Sequence, residues 1–496
     1  MKFFKSILLS IREGIVANPE IRKIVQRYPG FFAFLKRRLD RSKFSGLPLT
    51  FLLIIFLYVF YLFVGTIQDV VTAGPPVAAD IRIANLLYAF RDLELIRVFL
   101  WITLFAKWQT ITIFILITAV LLWLWKKRMY IAPFFVTLGG SYLFYALIKI
   151  ITHRLRPDIA YYLEKGYAFP SGHSTTAVAF YGFIAYILIR QCKSWKTKIG
   201  ILLAGLIIIF GVGFSRIYLG VHYLSDVWGG YLLGALWLII GISITEWRKE
   251  QKQEEPVTAH KTAKLFSVLL PITGLIFYLG FALQYNPPPN KNISKPIVVV
   301  TSNIQNIFKD ENLPRFTETL TGENQEPISL VLVTKDDQRF IRDMERADWT
   351  LADRPDAGSI LKLAKAALLN RNYPAAPMTP SFWNAKTHDF GFEKATQAQS
   401  VRERHHARFW KTNIEMPDGR RVYVGTVSLD TGIRWFVTHK IAPDIDTERE
   451  LLFSDLEKAG LVGVSQKIQS VPPVLGENFT GDQFFTDGKL YIIFLK

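Results

Sequence analysis

Seven long runs of apolar residues lie within the first 285 positions of this 496-residue chain, and they constrain its fold more than any other feature. The hydrocarbon core of a bilayer requires roughly 20 consecutive apolar residues in a helix. Within that core only helices and closed barrels satisfy their own backbone hydrogen bonds. The runs therefore predict an all-α membrane bundle of about seven transmembrane helices, at residues 47–67, 110–125, 130–151, 174–189, 199–214, 223–244 and 265–283.

Two further segments, residues 80–90 and 93–105, have helical apolar spacing but carry several charges, among them Arg82, Asp92 and Arg97. Amphipathic helices of this kind lie along a membrane surface. We predict interfacial helices here, packed near the functional site, rather than additional spans. The count of seven spans depends on this interpretation.

The formal net charge of +18 is concentrated at the ends of the apolar runs. Such a distribution is typical of membrane topology, and it lacks the basic stripe interleaved with aromatic residues that a nucleic-acid groove needs. We therefore expect no nucleic-acid partner. The single cysteine, Cys192, excludes an intramolecular disulfide and a zinc site built from cysteines.

The basic loops also indicate the orientation of the chain. Residues 1–46 form a basic segment, and the loops at 126–128, 190–198 and 248–264 are rich in Lys and Arg. Short basic loops stay on the cytoplasmic side, and these alternate correctly with seven spans. The sequence thus predicts a multi-pass protein of a bacterial inner membrane, with the other loops and the C-terminal part facing the periplasm or exterior.

Three clusters of polar residues lie between positions 149 and 226, close to the ends of predicted spans. Together they contain three cations, two histidines, one carboxylate and a Ser-Gly turn. Cations offset the charge of a phosphate group, arginine forks match its oxygens, and two histidines can act as nucleophile and acid. This inventory predicts a phosphate-handling site made of Lys149 with Arg156-Pro157, Pro170-Ser171-Gly172-His173, and Ser215-Arg216 with His222 and Asp226.

The clusters resemble the K-x6-RP, PSGH and SR-x5-H-x3-D signature of the type 2 phosphatidic acid phosphatase and vanadium haloperoxidase superfamily. The resemblance implies that His222 attacks phosphorus and becomes a phosphohistidine, that Asp226 holds His222, and that His173 protonates the leaving group. It also implies a set of residues that hold the phosphate oxygens: Lys149, Arg156, Ser171, Gly172 and Arg216. Taken singly, each residue also has an ordinary structural explanation, such as a helix N-cap or an interfacial cation.

On this basis we expect an integral membrane phosphatase that acts on a lipid phosphate or diphosphate, with the bilayer and the lipid as its partners and no cofactor. No metal is expected, because three cations and a helix start already stabilise the transferring group. Phosphatidate, phosphatidylglycerol phosphate, undecaprenyl diphosphate and a lipid A phosphate all remain open as substrates. The alternatives are a lipid phosphotransferase with the same intermediate, a vanadate-dependent haloperoxidase, or a non-catalytic membrane anchor.

A run of three prolines, Pro287 to Pro289, marks a stiff linker over residues 286–296. It separates the transmembrane phosphatase domain, residues 47–285, from a soluble α/β domain over 297–496. Strands are predicted at 328–334, 422–428 and 489–495, and helices at 337–347, 359–369 and 447–459. The sequences at 402–410 and 443–449 resemble an LssY C-terminal type of domain.

Four of the eight histidines lie in this C-terminal region, together with several aspartates. Such residues can bind a divalent ion, or an anion together with Arg402 and Arg404. Their spacing fits no metal motif, and a structural polar network is the favoured interpretation. The residues concerned are His388, His405, His406, His439, Asp430, Asp444 and Asp446.

Overall fold

The structure, a computed structural model, describes residues 18–251, 261–290, 297–369, 371–400, 402–434, 438–478 and 481–496. It has a helical N-terminal half followed by a sheet-rich C-terminal region, which confirms the predicted fold class. Parts of three predicted segments lie outside the described residues: 1–17 of the basic N-terminal segment, 252–260 of the last basic loop and 291–296 of the linker.

In the described part of the chain, seven helical segments are long and apolar enough to cross a membrane. They are Leu47–Thr72, Leu93–Leu124, Arg128–Thr152, Gly172–Gln191, Trp195–Tyr218, Leu224–Gln251 and Thr262–Gln284. The individual α-helices of this half are α1 Pro19–Arg27, α2 Pro29–Arg38, α3 Leu47–Thr72, α4 Pro75–Ala89, α5 Leu93–Leu104, α6 Trp108–Leu124, α7 Ile131–Thr152, α8 Gly172–Gln191, α9 Trp195–Tyr218, α10 Leu224–Gln251 and α11 Lys261–Gln284.

Helix α5 differs from the separate surface helix predicted over 93–105. The N–H groups of Phe105, Ala106 and Lys107 bond to the carbonyls of residues 102–104, so backbone hydrogen bonding continues from α5 towards α6. The two helices therefore form one candidate span of 32 residues. Helix α4 covers the other predicted surface segment, and its 15 residues are too few for a span.

Glycines allow helices α8 and α10 to approach closely. A Cβ atom at Gly230 would lie 2.6 Å from the carbonyl oxygen of Ser171, and one at Gly234 would lie 2.7 Å from that of Thr175. Small residues four positions apart permit this kind of backbone contact between membrane helices. The contact matters because α8 and α10 begin at two of the three predicted site clusters.

We predict that Gly234→Val lowers the thermal stability of the membrane region by several degrees, because the new side chain forces the two helices apart. Thermal unfolding of the purified protein in detergent measures this. Gly200→Val is the matched control, since it places the same residue in a helix where a Cβ meets nothing within 4 Å. Equal melting temperatures for the two variants would contradict the packing argument.

The C-terminal region is built on a nine-stranded mixed sheet with the order β12-β15-β4-β10-β9-β8-β5, to which β1 and β11 add at β9 and β10. Strands β4 and β15 pair in parallel, whereas the central β8-β9-β10 ladders are antiparallel. The strands are β1 Val299–Val300, β2 Phe316–Glu318, β3 Asn324–Pro327, β4 Leu330–Thr334, β5 Thr350–Leu351, β6 Phe382–Trp383, β7 Lys386–Thr387, β8 Phe390–Ser400, β9 Glu403–Glu415, β10 Arg421–Arg434, β11 Thr438–Ile441, β12 Val462–Gln469, β13 Val474–Glu477, β14 Gln483–Thr486 and β15 Lys489–Leu495.

Helices α12 Ile307–Asp310, α13 Asp337–Arg346, α14 Ala357–Leu369 and α15 Ile445–Lys458 complete this region. One face of the sheet packs on α13 and α15 through Phe340, Leu452 and Leu456. The other face has its own apolar cluster, which includes Ile307, Trp383 and Trp410. All six strands and helices predicted here are confirmed, whereas the long hairpin of β8 and β9 was not predicted.

Candidate active site

The ends of four membrane helices meet at one end of the bundle, and each contributes a predicted site residue. Lys149 lies in the last turn of α7, and Arg216 lies in the last turn of α9. Ser171 is the N-cap of α8, and Asp226 lies in the first turn of α10. The Ser171 N–H donates to the carbonyl of Asp226 at 2.9 Å, so the two helix starts are joined directly.

His222 lies in the tight connection between α9 and α10 and is fully buried. Its N–H donates to the carbonyl of Arg216 at 3.3 Å, and Gly220 adopts a φ of +66°, a conformation that favours glycine. This turn fixes the imidazole between the phosphate-binding arginines predicted from the sequence and Asp226.

The two ring nitrogens of His222 have different neighbours. Nη1 of Arg156 lies 3.1 Å from Nε2, and a guanidinium can only donate, so Nε2 presents its lone pair. Nδ1 therefore carries the proton and faces Oδ2 of Asp226 at 3.4 Å. Asp226 thus favours the tautomer in which Nε2 is free to act as a nucleophile.

Glu164 bridges the two arginines of the site. Its Oε2 lies 3.0 Å from Nη1 of Arg156 and 2.5 Å from Nη2 of Arg216. The same oxygen is 4.0 Å from Nε2 of His222. The carboxylate therefore lies among the residues that the sequence predicts to hold phosphate oxygens.

The remaining predicted residues lie around this centre. Oγ of Ser171 caps α8 by accepting from the N–H of Ser174, and Gly172 opens the helix beside the ring of Tyr145. Burial lowers the pKa of His222 well below its ordinary value, and the charges of Arg156, Arg216, Lys149 and His173 lower it further. The structure thus brings all eight predicted site residues into one neighbourhood.

Glu164 remains ionised in this environment. Burial alone would raise its pKa, but the adjacent guanidinium groups of Arg216 and Arg156 hold it below its ordinary value. The site therefore combines a neutral imidazole with the charged guanidinium groups of Arg156 and Arg216. Such an arrangement stabilises a transferring phosphoryl group without requiring a protonation change in its binding groups.

Sequence reasoning missed three buried or half-buried residues of this neighbourhood: Glu164, Arg154 and Asp80. Glu164 stands outside the motif clusters, in the loop between α7 and α8. Arg154 lies only two positions before Arg156, and Asp80 is a charge inside an otherwise apolar helix. An unpaired charge in an apolar segment is the one signal that indicates such roles from sequence.

The polar residues singled out in the C-terminal region pair with neighbouring side chains or cap a helix. His405 contacts Glu448 at 2.7 Å, and Arg404 contacts Glu393 at 2.6 Å. Asp444 caps α15, and Asp446 contacts Arg449 at 2.9 Å. His388 accepts weakly from the N–H of Ser381 at 3.5 Å, Arg402 donates to the carbonyl of Ala367, and the side chain of His439 lies outside the described residues.

His406 has the arrangement of a hydrolase triad but not its accessibility. Its Nε2 lies 2.8 Å from Oγ of Ser428, and its Nδ1 lies 3.0 Å from Oδ1 of Asp430. Arg408 also donates to Nε2 at 2.9 Å, and only 1% of Ser428 is exposed. These contacts belong to a larger buried set in which Arg404 lies 2.6 Å from Glu393 and 3.5 Å from Asp430, so the geometry favours a structural polar network. Among the described residues, no group of three or more His, Cys, Asp or Glu side chains is arranged to hold a metal ion.

Comparison with known proteins agrees with this division of the chain. Residues 130–250 match the PAP2 superfamily, and residues 310–490 match the family described as LssY C-terminus. The chain therefore contains a PAP2 superfamily domain followed by an LssY C-terminal domain, and both resemblances predicted from the motifs are confirmed.

Two individual proteins are similar to the chain. Phosphatidylglycerophosphatase B of Bacillus subtilis (strain 168) is 42% identical over 101 residues, which are 20% of this chain and 49% of that protein. The chain thus spans about half the length of this curated relative. The crystal structure of a transmembrane PAP2 type phosphatidylglycerolphosphate phosphatase from Bacillus subtilis is 27% identical and covers 40% of this chain and 98% of its own, with a TM-score of 0.36.

Proposed function

We propose that this protein is an integral membrane phosphatase that hydrolyses a phosphomonoester or diphosphate of a lipid through a phosphohistidine intermediate at His222. The observation that carries the proposal is the environment of His222 Nε2. This nitrogen presents its lone pair beside Arg156, while Asp226 lies against the opposite ring nitrogen. A neutral imidazole held in this way is an activated nucleophile aimed at an anion-binding pocket.

The reaction follows from the charges around that nitrogen. Arg156, Arg216 and Lys149 hold the phosphate oxygens, and Glu164 moves aside as they bind. Nε2 of His222 forms a bond to phosphorus while the bond to the leaving oxygen breaks, and His173 protonates that oxygen. Water then attacks the phosphohistidine, releases phosphate and restores His222. Three cations supply the stabilisation that a metal ion supplies in other phosphatases.

The substrate is a lipid whose phosphate reaches the ends of the membrane helices while its tail remains in the bilayer. Phosphatidylglycerol phosphate is the first candidate, because the similar Bacillus subtilis protein is named a phosphatidylglycerophosphatase. Phosphatidate and undecaprenyl diphosphate carry the same terminal phosphoryl chemistry. The pocket recognises that group and not the tail.

The membrane is a bacterial inner membrane, and the site faces the periplasm or exterior. Basic residues cluster at the end of the bundle opposite the site, at 126–128, 190–198 and 248–249. Short loops rich in Lys and Arg remain in the cytoplasm. The C-terminal domain lies at the same end as the site, because Asn290 and Tyr161 share a backbone hydrogen bond of 2.7 Å.

We predict that His222→Ala abolishes phosphate release from phosphatidylglycerol phosphate, and that His173→Ala lowers it by about 100-fold or more. Only His222 forms the covalent bond, so its loss should also abolish the phosphohistidine, whereas loss of His173 should slow phosphohistidine formation. Because phosphohistidine is labile in acid, the samples are quenched in alkali. Radiolabelled lipid and detection of phosphohistidine measure both steps.

His153→Asn serves as the control for these variants, because His153 is exposed near the site and adopts a left-handed backbone that Asn tolerates. It should retain wild-type turnover. The assay is repeated with EDTA, which should leave the rate unchanged. Phosphate release by His222→Ala, or a loss of wild-type activity in EDTA that magnesium restores, would contradict the mechanism.

We predict an acid limb of kcat/KM below about pH 6.5, the ordinary histidine value. His222 must be neutral to attack, and its folded pKa is lowered, so activity is present above that pKa and is lost as the pH falls through it. Lys149→Met removes a nearby positive charge and should move the limb of its residual activity to higher pH. Ionisation of the substrate phosphate contributes equally in both proteins. An acid limb at the same pH in both would therefore argue against His222 as its origin.

Topology gives a further prediction. Alkaline phosphatase fused after Lys496 should be active, and a fluorescent protein that folds only in the cytoplasm should stay dark at the same position. The expectation rests on the seven candidate spans of the described residues, since an odd number of crossings puts the C-terminus opposite the N-terminus, on the side of the proposed catalytic loops. Fusions after Gln191, at the basic end of α8, provide the reverse control. Fluorescence after Lys496 would show that the orientation is wrong.

A further inference from the structure

Helix α4 is a short element that carries two buried charges towards different partners. Asp80 and Arg82 are 2% and 8% exposed, although the helix is otherwise largely apolar. A buried charge is retained in a fold only when it is paired. The partners of these two residues lie in different parts of the chain.

The partners of Asp80 lie next to the candidate nucleophile. Oδ2 of Asp80 accepts from Nη2 of Arg154 at 2.7 Å, and Oδ1 accepts from the N–H of Ser225 at 2.9 Å. The other nitrogen of the fork, Nη1 of Arg154, donates to Oδ1 of Asp226 at 2.8 Å. Arg154 is therefore the shared countercharge of two buried carboxylates.

This arrangement decides which oxygen of Asp226 faces His222. Arg154 occupies Oδ1, so the second oxygen, Oδ2, accepts from the N–H of Tyr223 at 2.8 Å and lies 3.4 Å from Nδ1 of His222. Without Arg154, Asp226 would be a fully buried carboxylate with its charge uncompensated. Such a group turns away, takes up a proton or admits water.

The partner of Arg82 lies in the C-terminal domain. Its Nη2 and Nε donate to Oε2 of Glu318 at 2.7 and 3.1 Å, and the two side chains are only 10% and 11% exposed. The same carboxylate accepts from the N–H of Ala385, and Asn85 donates to the carbonyl of Ala385 at 2.7 Å. Helix α4 is thus held on one side by the C-terminal domain and on the other by the Asp226 network.

We propose that Asp80 and Arg154 are positioning residues for His222, and that the LssY C-terminal domain holds them in place through the Glu318–Arg82 pair. The proposal rests on the proposed phosphatase function. Arg154 and Asp80 bond to each other and to Asp226 and Ser225, and neither is among the residues assigned to the phosphate oxygens. Their loss should therefore slow the chemical step and leave substrate binding nearly unchanged.

The first test replaces Arg154. We expect Arg154→Gln to lower kcat by about tenfold or more with KM changed by less than about twofold, because the effect is on the nucleophile and not on the phosphate. Arg154→Lys should recover part of the rate, since an ammonium can pair with one of the two carboxylates. Arg97→Gln, an exposed arginine on α5, is the control and should match the wild type. A wild-type kcat for Arg154→Gln would overturn the positioning role.

The second test breaks and restores the contact between the domains in the full-length protein. Glu318→Arg and Arg82→Glu should each lower kcat several-fold, and the double exchange should recover much of the loss by re-forming the pair. Glu323→Arg is the control, because Glu323 is an exposed carboxylate close to Glu318 in sequence. Single variants that retain the wild-type kcat would overturn the role of the domain.

Hydrogen exchange provides a readout that does not depend on turnover. Peptides covering residues 219–227 should exchange faster in Glu318→Arg than in the wild type. They should exchange at the wild-type rate in Glu323→Arg. In the Arg82→Glu/Glu318→Arg double variant the exchange should be slow again. If the wild-type protein hydrolyses none of the candidate lipid phosphates, the proposed function is wrong. The hydrogen-exchange rates still test whether the Glu318–Arg82 pair affects the segment that contains His222. If the wild type is active but hydrogen exchange in Glu318→Arg is unchanged, the proposed connection between the domains is refuted and the phosphatase function is not.

Discussion

The structure of the membrane domain depends on compensating charges at the buried end of an apolar bundle. Arg216 is fully buried, and it is held by Glu164, Tyr162 and Thr103. A buried guanidinium without a countercharge strongly destabilises a fold. The loop between α7 and α8 supplies the countercharge, so the interaction that compensates Arg216 also shapes the proposed phosphate pocket. Helix packing through Gly230 and Gly234 then fixes the two helix starts that complete it.

Much of this arrangement can be predicted from sequence. The length and composition of the apolar runs indicate the spans, and the eight motif residues lie at or near the ends of those spans. The rest depends on contacts between distant segments. Asp80 and Arg154 are 74 residues apart, and nothing local in either segment indicates that they bond. Strand β9 was missed for another reason. Its alternating residues Arg404, His406 and Arg408 are polar yet face a buried network, so the usual alternation of apolar and polar residues is absent.

The two domains meet around a cavity of about 1080 Å³ lined by α4, residues 157–159, Tyr223 and residues 352–355 and 386–391. Tyr223 is also the ring over which the guanidinium of Arg154 stacks, at 4.5 Å. The C-terminal domain therefore borders the segment next to His222, the proposed nucleophile. Its contacts with the membrane domain include the Arg82–Glu318 ion pair and the hydrogen bond from Asn85 to the carbonyl of Ala385.

Glu164 gives the pocket a property that a set of bare cations would lack. Its carboxylate offsets part of the combined charge of Arg156 and Arg216. Under the proposed mechanism, substrate binding is then an exchange of one anion for another, and the net charge of the pocket changes little. The same exchange runs backwards when inorganic phosphate leaves, because the resident carboxylate returns to the guanidinium groups as the product departs. A pocket of this kind behaves like a small ion-exchange resin, in which weak retention of the product permits rapid turnover.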